Sequence, residues 1–421
     1  MKETTQNLGK GMDLVQIIEP KFKTNTIMVM LLVPIVPEKN ASYVLAQSML
    51  TQSCRKYPDN AAMTVKLDDM YGAGLSAPVS INGSVMSLSV RGSVIANRCA
   101  LHGEDLLGEM TDLILDCLFD PNVKDGAFDA NEFRIQRKEL LDSIQAEINN
   151  KRGYAMLRAR QTAFVGEPDA YPLYGSQEEV EALTPEGVYA AYQELLRRAV
   201  VRVYYVGSEE PAGLSEKLTA AFSQIKDRAP EALPFEAPSP CKSECAHVTE
   251  QMDVSQSKLV LAFKGENIPG EAFRLFSAVF GGTPFSMLFA NVREKMSLCY
   301  YCASRVIEGK ATLIVDSGVE LANAEKTHEA VLAQLEAVRN GEFTDELVEN
   351  AKRFMVNILR GIGDTPMSCI AEAYQRFYRH DDADVEERIQ RYQALTREDI
   401  IAAAKALRED TVYLMQQGGT K

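Results

Sequence analysis

Ala182-Leu-Thr-Pro-Glu-Gly-Val-Tyr-Ala-Ala-Tyr-Gln-Glu-Leu195 is written a second time, 212 residues further on, as Ala394-Leu-Thr-Arg-Glu-Asp-Ile-Ile-Ala-Ala-Ala-Lys-Ala-Leu407, with 7 identities in 14 positions. In both copies a threonine, Thr184 or Thr396, stands where a helix N-cap accepts a hydrogen bond from the backbone. Glu186 or Glu398 follows, where the positive end of the helix dipole favours an anion, and Pro185 suits the first helical position. Each copy then runs into a β-rich stretch, Val200–Val206 or Thr411–Met415. A shared helix start, helix and strand at matched spacing predict a duplicated chain.

Other segments agree at nearby offsets. Met70, Ile81, Gly83 and Gly92 match Met296, Ile307, Gly309 and Gly318 at an offset of 226. The apolar stripe Phe133, Leu140, Leu141, Ile144 matches Leu347, Phe354, Met355, Ile358 at an offset of 214, and both have the spacing of one buried helix face. Four prolines (Pro230, Pro234, Pro238, Pro240) without periodicity mark a linker. The expected organisation is an N-terminal domain 1–228, a proline-rich linker 229–245 and a C-terminal domain 246–421. Val85–Arg91 alternates Met86, Leu88 and Val90 with Ser87 and Ser89, the pattern of a half-exposed strand. Strands and helices without strict βαβ alternation predict an α+β class, each domain a mainly antiparallel sheet packed against helices.

Composition narrows the function. The 421 residues are 46% hydrophobic and 25% charged, which excludes disordered and fibrous classes. The net charge is −14, with no basic run to neutralise phosphates, so no nucleic-acid partner is expected. The longest apolar run, Ile27–Val36, has ten residues where a membrane span needs about twenty. The N-terminus shows no apolar export core, and the expected compartment is the cytoplasm. Eight dispersed cysteines in a chain of this length point to reduced thiols.

Motifs of catalysis are missing. His102, His247, His328 and His380 form no i, i+4 pair. Cys299-x-x-Cys302 and Cys241-x-x-x-Cys245 lack a second pair nearby, so no metal is expected there. Gly72-Ala-Gly74 follows a helical run and leads into strands, the reverse of a dinucleotide loop. No phosphate-binding loop and no nucleophile elbow is present. The expected cofactor and metal complement is none.

Gly281-Gly-Thr-Pro-Phe-Ser-Met-Leu-Phe-Ala-Asn-Val-Arg-Glu-Lys-Met-Ser-Leu-Cys-Tyr300 resembles the second domain of the pitrilysin/insulinase family of zinc peptidases. Phe22-Lys-Thr24, Tyr171-Pro-Leu-Tyr-Gly-Ser176 and Tyr204-Tyr-Val-Gly207 extend the resemblance, in order, over nearly the whole chain. It implies a metallopeptidase-like half-chamber of two homologous domains. Active members carry His-x-x-Glu-His, two histidines for zinc and a glutamate as general base. Here the matching positions are Val44, Gln47 and Ser48, and on a later helix the two supporting carboxylates are replaced by Gln136 and Ser143. A shifted alignment brings in Glu139 or Asp142 without a second ligand. Valine has no lone pair and a glutamine amide takes no proton at neutral pH.

The second-domain motif is retained. By resemblance Arg293 and Tyr300 reach substrate: arginine suits a carbonyl or carboxylate, and a tyrosine hydroxyl can stabilise an oxyanion. The alternative is an ordinary ion pair for Arg293 and a strand aromatic for Tyr300. Gly281 and Gly282 either approach a substrate backbone or form a turn. The resemblance is to inactive members of paired chains, including a bacterial group associated with aminopentanol modification of elongation factor P. It implies an inactive substrate-binding subunit of a heterodimeric zinc peptidase, paired with an active His-x-x-Glu-His chain and acting on a peptide or unfolded polypeptide. A non-proteolytic scaffold using the same fold is the alternative.

Overall fold

The computed structural model describes residues 1–235 and 237–418. Glu236, inside the expected linker, and 419–421, at the end of the expected C-terminal domain, lie outside the described residues. In chain order the strands are β1 (Lys2–Gly9), β2 (Met12–Ile18), β3 (Thr24–Pro34), β4 (Gly74–Ser76), β5 (Val79–Asn82), β6 (Val85–Ile95), β7 (Val123–Lys124) and β8 (Ala127–Phe128). The series continues with β9 (Val200–Gly207), β10 (Ala246–Met252), β11 (Ser257–Lys264), β12 (Cys299–Ile307), β13 (Thr312–Val319) and β14 (Arg408–Gln417). One sheet has the order β1-β2-β9-β3-β6-β4, with β5 also on β6; a second has the order β10-β14-β11-β13-β12, and β7 pairs with β8 in a separate two-stranded ribbon. In each, one pair is parallel, β2 with β9 and β10 with β14, and the remaining neighbours are antiparallel. Position by position, β2-β9-β3-β6-β4 answers to β10-β14-β11-β13-β12. The duplication in the sequence is a duplication of strand order and direction.

The helix starts behave as the repeat requires. Thr184 Oγ1 accepts from Gly187 N at 3.1 Å. Thr396 and Asp399 cap one another, the Asp399 carboxylate accepting from Thr396 N at 2.7 Å.

The compact units are discontinuous in sequence. Unit 1 comprises Met1–Gln145, Pro172–Phe235 and Ile362–Asp381; unit 2 comprises Ala146–Tyr171, Glu236–Gly361 and Asp382–Lys421. One crossing, at 235/236, falls within the expected linker 229–245, but the contiguous domains 1–228 and 246–421 describe the sequence repeat and not the packed bodies. The halves exchange one equivalent helix. In unit 1, Ile27, Val29, Leu31, Met86, Leu88 and Val90 join the core that holds Val44 and Leu113, while Met28, Met30 and Leu32 face the helix Pro366–Arg379 through Ile370 and Ala373. In unit 2, Val260, Ala262 and Ile314 receive the helix Lys151–Ala163 through Ala155, Ala159 and Ala163. A strand that is apolar on both faces needs cover on both. The i, i+4, i+8 alanines let the covering helix lie close to the sheet.

Two local expectations change for that reason. Ser87 and Ser89, expected on an exposed face, are 2% exposed, because they share the second covered face with Met30 and Leu32. On the helix Asp345–Arg360 the buried residues are Val348, Ala351, Val356 and Leu359, and Ile358 is exposed. The expected stripe from Leu347 to Ile358 is thus turned by about one residue, and Phe354 meets Phe285 edge-on instead. The proline-rich stretch has no helix or strand but is packed: Phe235 is buried against Phe377 and Tyr378. Among the described residues no helix is long and apolar enough to cross a membrane.

Candidate functional site

The helix Pro37–Met49 follows β3 directly, with proline in its first turn where a missing N–H costs nothing. It carries the three positions at which the resemblance places zinc ligands and base. Val44 is buried in the apolar core of unit 1. Gln47 is fully buried; its Nε2 donates to Ser89 O at 2.5 Å, and its Oε1 has no partner. Ser48 Oγ donates back to Leu45 O at 2.9 Å, a local helix bond. On the helix Ala130–Glu147, Gln136 Nε2 donates to Glu139 Oε2 at 3.0 Å, and Ser143 Oγ donates to Glu139 O at 2.8 Å. Asp142, the other carboxylate of the shifted alignment, is taken up by Lys138 at 2.8 Å. An alkyl group, two amides and two hydroxyls turned to main-chain carbonyls do not fit zinc. Among the described residues no group of three or more His, Cys, Asp or Glu side chains is placed to hold a metal ion.

The residues of the second-domain motif lie in unit 2. Gly281 ends the helix Gly270–Phe280, its N–H and that of Gly282 both donating to Ser277 O. A Cβ at Gly281 would stand 2.7 Å from Leu288 Cδ1 and 2.9 Å from Ser304 N, and one at Gly282 would stand 2.9 Å from Ser277 O. Close packing within the turn accounts for both glycines. Residues Leu288–Lys295 form a wide π-helical segment, with Met296 N donating to Asn291 O five residues back. Arg293 lies there, over the Phe289 ring (4.6 Å to its centre) and 3.5 Å from Glu294. Its side chain is 39% exposed.

Tyr300 is placed by an irregularity. The pairing of β12 with β13 slips between Cys299 and Tyr301, leaving Tyr300 as the extra residue of a bulge on an edge strand. Bulges redirect side chains out of the ladder, and Tyr300 is 58% exposed. Its hydroxyl donates to Glu320 Oε1 at 2.6 Å, and that carboxylate pushes the phenol above its ordinary value. Arg293 and Tyr300 have separate partners. Cys299 links their surroundings: a hydrogen bond with Cys302 lowers its thiol pKa, with a smaller contribution from Arg293, while Cys302 is pushed well up. All eight cysteines are free thiols. A second thiol contact, Cys54 with Cys117, joins residues 63 positions apart and had no signal in sequence.

These features define a duplicated two-unit α+β fold in which the positions that the resemblance gives to zinc ligands and base hold no metal-binding set. Residues 182–355 match the family model described as the peptidase M16 inactive domain. A curated relative, the "Probable inactive metalloprotease YmfF" of Bacillus subtilis (strain 168), is 26% identical over 402 residues, covering 94% of this chain and 93% of the relative. A conserved protein from Enterococcus faecalis V583 has the same fold, with a TM-score of 0.90 at 24% identity over 100% of this chain and 99% of that one. A peptidase M16 inactive domain from Pseudomonas fluorescens gives 0.81 at 16% identity, over 100% and 99%. Over residues 182–355, and at lower identity over most of its length, the chain is thus similar to inactive homologues of the M16, insulinase-like, peptidases.

Proposed function

We propose that this chain is the non-catalytic, substrate-binding subunit of a cytoplasmic heterodimeric zinc peptidase, paired with an active chain that carries His-x-x-Glu-His. In this reading Arg293 and Tyr300 contact a peptide or unfolded polypeptide, Gly281 and Gly282 set the turn behind them, and Val44, Gln47, Ser48, Gln136 and Ser143 mark a degenerate metal site. The observation that supports it is the bulge in β12. It leaves a large aromatic exposed at a sheet edge, while Val44 is packed in the core and Gln47, Ser48, Gln136 and Ser143 are engaged in hydrogen bonds within the unit. A phenol and a guanidinium so presented can hold a peptide carbonyl and its developing negative charge.

The test is purification of the native assembly from its own cells, followed by mass spectrometry, zinc analysis and a peptide-hydrolysis assay. The expected result is an equimolar partner with His-x-x-Glu-His, one zinc per pair, and turnover. Arg293→Ala is then expected to lower kcat/KM by roughly tenfold to a hundredfold with the assembly intact. Unchanged turnover removes Arg293 from substrate contact. An equimolar assembly without zinc or hydrolysis makes the chain a scaffold.

A further inference from the structure

On the face of the unit 1 sheet that takes the exchanged helix lies a cavity of about 310 Å³. Its polar wall is Arg91, Thr24, Thr26, Ser76 and Ser93, from β3, β4 and β6. The register explains their convergence: Thr26 pairs with Ser93, Ser93 with Gly74, and Ser76 with Arg91 across three adjacent strands. Among the described residues the Arg91 side chain makes no hydrogen bond or ion pair. Thr26 is 3% exposed and its hydroxyl has no partner among them, and Ser76 Oγ is buried without one. A buried hydroxyl without a partner, as at Ser76, is costly, while the partly exposed Arg91 guanidinium faces the cavity free to take a partner.

Unit 2 shows what chemistry belongs at this place. There a residue on the matching strand and face, one position off the Gly92–Gly318 match of the sequence, is Asp316, which pairs with Val260 of β11 and Ala303 of β12 as Arg91 pairs with Met28 of β3 and Ser76 of β4. Asp316 accepts from Arg152, second residue of its exchanged helix, at 2.5 Å, and lies 3.4 Å from Arg305. In unit 1 the second residue of the exchanged helix is Met367, which carries no charge and lines the cavity. The charge on the sheet is inverted and its counter-charge is not supplied by the helix.

We propose that this cavity is a carboxylate-binding site. Arg91 offers the two parallel N–H donors that match a carboxylate, and the Thr26 and Ser76 hydroxyls add neutral donors beside it. One guanidinium with neutral hydroxyls balances a monoanion; a phosphate dianion would keep a net negative charge. Pro366 and Met367 give the remaining wall an apolar surface, so the carboxylate carries an aliphatic group. Asp364, beside the helix cap, is engaged with Lys21 at 3.6 Å. The carboxylate is either the C-terminus of a peptide or a free small acid.

Calorimetric titration of the whole chain separates these sources. The probes are N-acetyl-alanyl-leucine as free acid, the same dipeptide as C-terminal amide, 4-methylpentanoate, and inorganic phosphate. Saturable binding of the free acids, at least about tenfold weaker for the amide and abolished by Arg91→Met, is the expected result. Tighter binding of the dipeptide acid than of 4-methylpentanoate assigns the site to chain ends; equal binding assigns it to small acids. Arg91→Lys, which keeps the charge but loses the fork, is expected to bind about tenfold or more weakly while melting like the parent. No saturation by either acid at about 10 mM, tighter binding of phosphate, or unchanged binding by Arg91→Met overturns the proposal.

Discussion

In unit 2 the exchanged helix Lys151–Ala163 is held at both ends by ions. Its first turn gives Arg152 to the buried Asp316, and Ala163 O at its last turn accepts from Lys264 at 2.6 Å and Lys242 at 3.0 Å. Both lysines lean on Asp410, which is 0% exposed, and Lys310 reaches Asp169 and Glu167 beside them. In unit 1 the equivalent helix Pro366–Arg379 is held by rings: Phe235 packs on Phe377 and Tyr378, and Arg202 lies over Phe377 at 4.2 Å. The partly exposed ion pair of Arg376 with Glu3 supplements them. The start of that helix meets the Arg91 cavity in place of an ion pair. Duplicated architecture thus tolerates two different ways of fixing the same helix, and the less occupied of them leaves room for a ligand.

The largest effect is expected at Asp410. Asp410→Ala strands two ammonium groups, one of them the buried Lys264, and should cost about 3–5 kcal/mol in chemical denaturation. Burial works to raise the Asp410 carboxyl, but hydrogen bonds from Lys242 and Thr411 hold it below its ordinary 3.8. A depressed pKa gives stability that is fully present above the ordinary value and lost as the pH falls through the folded one. Hydrogen exchange on acidification from pH 7 to about pH 3 should therefore open Lys151–Ala163 before Pro366–Arg379. Simultaneous opening of both would break the contrast.

A smaller effect separates the two corners directly. Asp316→Asn weakens a buried carboxylate's bonds to Arg152 and Arg305 and should cost about 1–3 kcal/mol, whereas Arg91→Leu, which breaks no bond within the chain, should stay within about 0.5 kcal/mol. Equal losses in urea melts would show that Arg91 is structural. The smallest effect sharpens the comparison. Met367→Glu sets an acid in the first turn of the exchanged helix, near Arg91, and should stabilise by up to about 1 kcal/mol while weakening binding of carboxylates to the cavity. A destabilised variant with undiminished binding would place the ligand elsewhere.

Much of the architecture was legible because its signals are local. Thr184 and Thr396 cap because their side chains meet N–H groups three residues away, and the repeat they mark predicted two sheets of one design. The expectation of no zinc at Val44, Gln47 and Ser48 rests on an equally local reason: valine lacks the lone pair, and glutamine the basicity, that the chemistry needs, wherever the helix lies. Tyr300 was singled out by its motif. The bulge that exposes it was not, since a register slip depends on the neighbouring strand. The alternation Ser87, Ser89, Arg91, Ser93 was there to be read, and it does place these residues on one face of β6; it does not tell what faces them.

The sequence by itself determined the duplication, the helix starts and the α+β class, because each depends on residues within a few positions. Tertiary structure decided which sheet each exchanged helix covers, since its apolar face, Ile370 with Ala373 or Ala155 with Ala159, satisfies any apolar surface of suitable shape. It also decided that Asp316 meets arginine while Arg91 meets open space. The Arg91 cavity is assembled from residues 24–26, 74–76, 91–93 and 365–367, and no pattern along the chain records which charges such distant segments bring together.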